Sequence, residues 1–219
     1  MGIVKGIITA LVTPFDSNDE ILEGRLREVV EFQIAKGIHS FLVCGTTGQG
    51  PLMTVAQRRR VVEIVTDQIR KRVPVIAQTG LPDTRSTIEL ARHAQDHDVT
   101  AIACVTPYYY RFDRSAVLRH YKAVAASVSI PVFVYNIPRL TGFNVDAPLL
   151  KQLASIERVV GVKDSSRDFT QLLELCSAVS QSFTVLNGTD SFVLPAFLFG
   201  LDGAVGWNRS VISQIMALA

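Results

Sequence analysis

The chain has 219 residues, 48% of them hydrophobic, which is enough to form a sizeable core. Its formal net charge of +2 is too small to indicate a nucleic-acid-binding protein, and we expect no nucleic-acid partner. The apolar stretch at residues 192–201 is too short to span a bilayer, and the first residues lack the pattern of a secretion signal, so no membrane role is indicated.

Eight short apolar, β-branched runs predict strands. In chain order they are GIITALVTPF (6–15), SFLVCGTTG (40–48), VPVIAQTG (73–80), VTAIACVTP (99–107), IPVFVYNIP (130–138), RVVGVKDSS (158–166), FTVLNGTD (183–190) and DGAVGW (202–207). Segments between them carry helix formers with apolar residues three and four apart, and these predict helices at 23–36, 54–70, 84–96 and 115–127. The one dense basic run, at residues 58–60, falls in a predicted helix, where we expect a solvated face.

Strand and helix alternate throughout the chain, which predicts a parallel sheet covered by helices. Eight repeats fit a closed (β/α)8 TIM barrel, and no linker divides residues 1–219, so a single domain is expected. The main alternative is a doubly wound open sheet. It is disfavoured because no G-x-G-x-x-G turn follows the first strand, and GTTGQG follows the second strand with its glycines in a different order.

Polar residues or glycines follow the apolar runs directly, and in a parallel barrel these strand ends share the rim where barrel enzymes carry their chemistry. Lys163 is one of them, at the end of the run VVGV. Alternation along this strand places Val159 and Gly161 on the same face as Lys163, so the small Gly161 is expected to leave room for a ligand beside the lysine. Val160 and Asp164 are then expected on the face toward the helices.

The three cysteines are odd in number and lie among apolar residues. This pattern is typical of buried thiols in a reducing compartment and not of a disulfide framework. We therefore expect a cytoplasmic protein.

Five motifs together resemble those of one enzyme family. GTTGQG (45–50), TPYYY (106–110), YNIPRLTG (135–142), GVKDSS (161–166) and NGTD (187–190) occur in order, each at a different predicted strand. This set is similar to that of the dihydrodipicolinate synthase and N-acetylneuraminate lyase family of class I, Schiff-base aldolases, and the resemblance covers essentially the whole chain. It implies a TIM barrel, a 2-oxo acid substrate such as pyruvate, and a homodimer or homotetramer.

The resemblance implies a covalent role for Lys163, whose neutral amine would attack the ketone of the 2-oxo acid. An apolar environment disfavours the charged ammonium and so favours the nucleophilic form. Tyr135 matches the family's tyrosine that relays protons to and from the substrate, a role that a phenol can fill as donor or acceptor. Because the imine carries the chemistry, no cofactor is expected.

Other site residues follow from the same resemblance. Thr46, Thr47 and the backbone at Gly48 match the loop that holds the substrate carboxylate, and a glycine-rich turn before a helix suits that task. Thr47 is expected to pass protons between Tyr135 and Tyr109, with Tyr109 coming from a neighbouring subunit. Gly188 matches a backbone contact to the substrate.

One position bears on the choice of substrate. The synthase branch of the family typically carries an arginine directly before Thr-Gly, where this chain has Leu140, and Arg139 lies one place earlier. In an extended segment a shift by one residue turns the side chain to the opposite side. This favours an aldolase acting on 2-keto-3-deoxy sugar acids over a dihydrodipicolinate synthase, while a sugar-acid dehydratase that uses the same imine stays an alternative. Arg139 remains a candidate carboxylate-binding residue.

Two further alternatives concern metal binding and catalysis. His93 and His97 lie four apart on a predicted helix, but no third ligand or H-E-x-x-H pattern accompanies them, so a solvated helix face and no metal are expected. A non-catalytic 2-oxo acid sensor or scaffold would keep the barrel without turnover.

Family members usually continue into a C-terminal helical bundle, whereas residues 210–219 are interpreted as the first turns of an eighth helix, as in a C-terminally short chain.

Overall fold

Eight parallel strands pair in sequence order and close into a barrel in the computed structural model, which describes residues 4–206. The strands are β1 Gly6–Ala10, β2 Ser40–Val43, β3 Val75–Gln78, β4 Ala101–Val105, β5 Val132–Asn136, β6 Val159–Asp164, β7 Thr184–Asn187 and β8 Gly203–Gly206. Parallel pairing of β8 with β1 closes the ring, which confirms the TIM barrel and excludes the open sheet.

Helices alternate with the strands, as predicted. They are α1 Glu23–Ala35, α2 Val55–Ile69, α3 Thr84–Asp96, α4 Arg114–Ala126, α5 Pro138–Thr141, α6 Ala147–Leu153, α7 Phe169–Ala178 and α8 Val193–Leu198, with short 3₁₀ turns at Gly50–Leu52 and Asp190–Phe192. The helix predicted at 210–219 lies outside the described residues.

Side-chain caps set where several helices begin. Thr54 and Gln57 form a reciprocal capping box at the start of α2. An aspartate caps α3, α4, α6 and α7 in the same way, by accepting a hydrogen bond from a backbone N–H in the first turn. The caps end the loops that leave the strands, and so fix where each helix turns back from the barrel mouth.

Apolar side chains form two layers. One cluster fills the barrel interior and includes Ile8, Leu42, Ile76, Phe133 and Leu186. A larger cluster lies between the strands and the helices, because the strands are apolar on both faces. The interior is therefore a packed core, and the space for a ligand is at the mouth.

Strand β6 carries an irregularity that changes which side chains face the interior. Its pairing with β5 passes from Val132 opposite Val159 to Phe133 opposite Gly161, so one extra residue is inserted. Val159 packs in the outer layer and Val160 against the interior, so the expectation from simple alternation was wrong for both. The expected room beside Gly161 is also absent, because a Cβ there would lie 2.3 Å from the Phe133 ring.

The basic run in α2 is only partly solvated. Arg58 is 1% exposed, and its guanidinium donates hydrogen bonds to the Gly80 carbonyl at 3.2 Å and to the Gln78 side-chain oxygen at 3.1 Å. Arg59 and Arg60 instead form ion pairs on the outside of the barrel. The prediction of a solvated face was therefore wrong for Arg58, because the hydrogen bonds donated by its guanidinium connect α2 to the end of β3.

No helix within residues 4–206 is long and apolar enough to cross a membrane. The three cysteines are unpaired, and two of them, Cys44 and Cys104, are buried, as expected.

Candidate active site

Lys163 and Tyr135 occupy the centre of the barrel mouth, at the C-terminal ends of β6 and β5. The irregularity in β6 shifts the pairing so that Lys163 lies opposite Tyr135; uninterrupted pairing would place Val162 there. The Nζ atom of Lys163 lies 3.9 Å from the centroid of the Tyr135 ring. Both side chains are buried, Lys163 at 7% and Tyr135 at 2% exposure. The amine is therefore largely shielded from solvent and lies at contact distance from the phenol ring.

The phenol of Tyr135 is part of a small polar network. Its hydroxyl lies 3.2 Å from the Thr46 hydroxyl and also hydrogen-bonds with Lys163 and Ser165. Burial opposes ionisation of the phenol, but the charge of Lys163 and these hydrogen bonds outweigh that effect, so the pKa of Tyr135 lies below its usual value. The group is therefore tuned toward giving up its proton more readily than a free tyrosine.

The loop after β2 brings Thr46, and not Thr47, to the phenol. The Thr47 hydroxyl has no hydrogen-bond partner within residues 4–206, and the relay expected through Thr47 to Tyr109 of a neighbouring subunit stays a prediction. The loop is tight: a Cβ on Gly48 would lie 2.6 Å from the Leu11 carbonyl oxygen. Gly50 closes the turn, since a Cβ there would lie 1.8 Å from the Cys44 carbonyl oxygen.

Ser165 is a site residue that the sequence analysis missed. Its hydroxyl hydrogen-bonds with Tyr135 and donates to the Gly188 carbonyl at 3.3 Å. The signal for it is its position two residues after Lys163, since residues two apart along an extended chain point to the same side. Gly188 lies against this group as well, because a Cβ there would be 2.1 Å from the Ser165 hydroxyl and 3.0 Å from Cε of Lys163. Only a glycine fits at this place.

Behind the lysine, Asp164 points toward the helices, as expected. It accepts hydrogen bonds from the Asn136 amide at 2.7 Å, the Ser166 hydroxyl at 2.5 Å and the Gln171 amide of α7 at 3.2 Å. Burial raises the pKa of Asp164, and these donors offset part of that rise. The network fixes the end of β6 and thereby the backbone that carries Lys163.

Three expected or neighbouring residues lie outside this cluster. Tyr109 is 86% exposed, with φ +79°, and packs edge-on against Tyr110 at 5.1 Å between ring centroids. A positive φ is strained for a bulky residue, so the loop holds this ring outward at a cost. Arg139 is exposed and contacts no site residue within the described part of the chain, and Leu140 beside it is exposed as well.

Arg139 and Leu140 belong to the helical turn α5, which the sequence analysis treated as extended. In a helix, neighbouring side chains differ in direction by about 100°, and not by the half turn of a strand. The one-residue shift from Leu140 to Arg139 therefore does not turn the side chain to the opposite side, and the position of Arg139 separates the two substrate classes less sharply than expected.

A second cluster of polar side chains lies in the helix layer. Glu63 on α2 joins His93 on α3 and His97, which caps the C-terminal end of α3, and one ligand atom from each lies within 4.8 Å of the others. The expectation that no third ligand accompanies the two histidines was wrong, because α2 supplies it through tertiary packing. Burial lowers the pKa of His93, despite the opposing Glu63, so at neutral pH the His93–Glu63 contact at 3.1 Å is a hydrogen bond of a neutral imidazole.

Comparison with known proteins gives consistent matches over the chain. The sequence model of the Dihydrodipicolinate synthetase family matches residues 3–218. The 4-hydroxy-tetrahydrodipicolinate synthase of Syntrophus aciditrophicus is 41% identical over 211 residues, which cover 96% of this chain and 71% of that protein.

Solved structures show the same likeness. Dihydrodipicolinate synthase from Bacillus anthracis superposes with a TM-score of 0.93 and 33% identity, covering 100% of this chain and 75% of that one. CdNal from Clostridium difficile, solved in complex with mannosamine, has a TM-score of 0.93 and 31% identity, covering 98% of this chain and 75% of that one.

Proposed function

Because this chain belongs to the Dihydrodipicolinate synthetase family, we propose that it makes or breaks a carbon–carbon bond between pyruvate and an aldehyde through an imine on Lys163. The observation that carries the proposal is the contact between Lys163, Tyr135 and Thr46 at the mouth of an otherwise packed barrel. A buried amine beside a proton donor is the arrangement that nucleophilic catalysis on a ketone needs.

The proposed reaction proceeds in balanced steps. The Lys163 amine attacks C2 of pyruvate, and Tyr135 supplies a proton to the carbonyl oxygen as the tetrahedral adduct forms. The adduct nitrogen then loses one of its protons, and a proton delivered to the new hydroxyl lets it leave as water, which produces the protonated imine. Loss of a C3 proton gives an enamine, which attacks the aldehyde carbon; the aldehyde oxygen takes up a proton as the new bond forms, and the imine is regenerated. Addition of water to that imine then releases the product and the Lys163 amine. Thr46 and Ser165 position the Tyr135 hydroxyl through these transfers.

The first candidate for the aldehyde is aspartate semialdehyde, the acceptor of a dihydrodipicolinate synthase. It is supported by the relatives, since the proteins of Syntrophus aciditrophicus and Bacillus anthracis are both named as such synthases. The finding that Arg139 lies on a helical turn also supports it, since the turn weakens the argument against a synthase.

A second candidate is a 2-keto-3-deoxy sugar acid, which an aldolase would split into pyruvate and an aldehyde or a dehydratase would process through the same imine. The exposed Leu140 favours this class, because an aliphatic side chain offers nothing to a second carboxylate on the acceptor.

We extend the proposal to the working form of the protein. The imine takes the place of a cofactor, and the outward-facing Tyr109 supports a homodimer or homotetramer in which its ring enters the partner's site. The unpaired thiols support a cytoplasmic location.

The experiment that tests this function is reduction with borohydride in the presence of pyruvate, followed by intact mass and peptide mapping. We expect one adduct, on Lys163, that is lost in Lys163→Ala and kept in Lys151→Ala, which removes an exposed lysine at the end of α6. No adduct in the folded wild-type chain would contradict the proposal. An adduct without turnover of aspartate semialdehyde or of any 2-keto-3-deoxy sugar acid would favour the sensor or scaffold.

A further inference from the structure

We propose that Glu63, His93 and His97 form a binding site for a divalent transition-metal ion of the Zn²⁺ type between α2 and α3. This site is separate from the barrel mouth and does not depend on the proposed function. Three ligands from two helices would make the ion a cross-link in the outer wall of the barrel.

Helix geometry places the two imidazoles together. Residues four apart lie on one face of a helix, and His97, the C-cap of α3, still donates its backbone N–H to the His93 carbonyl. The two rings have their centroids 4.4 Å apart, at an angle of 41°. The rings are tilted and not stacked flat, so their nitrogens can converge on a common point. Neither ring nitrogen of His97 has a hydrogen-bond partner within residues 4–206, so whichever nitrogen carries the lone pair of the neutral ring is free to bind an ion.

Glu63 completes the set from the neighbouring helix. Its carboxylate oxygen lies 3.1 Å from Nε2 of His93. Two ligands bound tetrahedrally to one Zn²⁺ at about 2.0–2.1 Å are about 3.3 Å apart, so this pair already has the separation that a shared ion requires. The other carboxylate oxygen accepts a hydrogen bond from Arg60 at 3.1 Å, which orients the group without occupying both oxygens.

An ion can reach the cluster from solvent. Glu63 and His97 line a cleft of about 540 Å³ that also contains the acidic side chains of Asp67, Asp96 and Asp98. Residues that lead into β3 and β4 form the rest of its wall, so the cleft opens at the end of the barrel opposite Lys163. Lys71, which also lines the cleft, forms an ion pair with Asp98 at 3.0 Å.

The ligand types determine the class of ion. Two imidazoles and one carboxylate suit Zn²⁺, with water in the fourth position, whereas Mg²⁺ and Ca²⁺ prefer oxygen ligands alone. Among the divalent ions that accept such a set, Zn²⁺ binds more tightly than Co²⁺ or Fe²⁺, so we commit to Zn²⁺ and use Co²⁺ only as a coloured probe.

The test is calorimetric titration of Zn²⁺ into the full chain after treatment with a chelator. We expect one strong site per chain, a rise of the thermal unfolding midpoint with added Zn²⁺, and d–d absorption bands when Co²⁺ replaces it. His97→Gln and Glu63→Gln should each weaken binding about tenfold or more, the scale on which changes around a metal site act.

Two controls make the result specific. Glu89→Gln removes an exposed carboxylate from the same face of α3, where it pairs with Arg59 outside the proposed ligand set, and should bind Zn²⁺ as tightly as the wild type. Cys176→Ser removes the most exposed thiol and should also leave binding intact. Unchanged affinity in both ligand variants, loss of binding in Cys176→Ser, or no strong site in the wild type would each overturn the proposal. Circular dichroism in chelator establishes that every variant is folded before titration.

Discussion

The Nζ atom of Lys163 lies 3.9 Å from the centroid of the Tyr135 ring, and the two residues are partners in the register of β5 and β6. Each residue therefore sets the environment of the other: the ring faces the cation, and the charge of Lys163 lowers the pKa of the phenol. Since both are buried, a change in either alters the other, and their mutational effects should not add.

Tyr135→Phe keeps the ring beneath Lys163 and removes only the hydroxyl. We expect kcat to fall about a hundredfold to ten-thousandfold, the usual contribution of a positioned acid or base, while slow borohydride trapping on Lys163 persists. Tyr121→Phe is the matched control, because Tyr121 is also buried but donates its hydroxyl to the Cys104 carbonyl at 2.6 Å. It should cost stability and not turnover per folded molecule. Equal loss of turnover in both variants would show that Tyr135 has a packing role only.

The two threonines of the loop after β2 can be separated by one pair of variants. Thr46→Val removes the hydroxyl that lies 3.2 Å from the Tyr135 hydroxyl and should lower kcat about tenfold, the equivalent of one hydrogen bond of ~1.4 kcal/mol. Thr47→Val should have a smaller effect on kcat and act on KM for pyruvate. Steady-state kinetics of both variants distinguish a catalytic role from a substrate-binding role for each threonine. A larger fall of kcat in Thr47→Val than in Thr46→Val would indicate that the proton relay passes through Thr47.

Ionisation of Tyr135 should be visible as a function of pH. Burial opposes it, but the charge of Lys163 holds the pKa of the phenol below the usual value of a tyrosine, so this tyrosine should titrate first among the buried ones and set an alkaline limb of activity. A tyrosine whose pKa is lower in the folded protein than in the unfolded chain stabilises the folded state at pH values above the unfolded pKa. That stabilisation is lost as the pH falls through the folded pKa, so the stability at neutral pH should not depend on it. Tyrosinate absorbance measures the titration.

Lys163→Met is the control for this titration, since it keeps the bulk of the side chain and removes the charge. Only the hydrogen bonds with Thr46 and Ser165 then oppose the effect of burial on the pKa, and the midpoint of Tyr135 should move upward. A midpoint that stays in place would mean that Lys163 does not govern the phenol.

Leu140→Arg tests the choice of acceptor. An arginine at this exposed position should lower KM about tenfold for an acceptor with a second carboxylate, because a charge-assisted hydrogen bond contributes roughly 1.5–3 kcal/mol. Leu198→Arg adds the same charge at the exposed end of α8 and should change nothing. If the wild type already uses such an acceptor well and Leu140→Arg brings no gain, Leu140 is not the residue that discriminates between the substrate classes.

The order of strands and the rim of polar residues could be predicted from the sequence, because parallel strands buried on both faces have a strong apolar signature and their ends meet at one edge. Lys163 and Tyr135 were found in this way. The side-chain orientation at the start of β6 could not be predicted, because an inserted residue breaks the alternation and nothing in the run VVGV indicates that insertion.

Two other features depend on geometry that local sequence does not contain. The choice between Thr46 and Thr47 rests on the fold of a tight glycine loop, where neighbouring hydroxyls point in different directions. Glu63 joins His93 and His97 only because α2 packs on α3, and a pair of histidines four apart does not reveal a ligand thirty residues away. In both cases tertiary contacts determine which side chains meet, and the pattern and spacing of residues along the sequence do not.

The packing of Phe133 against Gly161 has a stereochemical consequence. The ring belongs to the interior cluster and fills the space at Gly161, two residues before Lys163 on β6, so the packed core lies on one side of the amine and the barrel mouth on the other. Under the proposed mechanism, an incoming aldehyde is expected to approach the enamine from the mouth alone. The configuration of the new carbon centre then depends on the rotamer that the adduct adopts beside Tyr135. If the site holds a single rotamer, the reaction should yield one enantiomer.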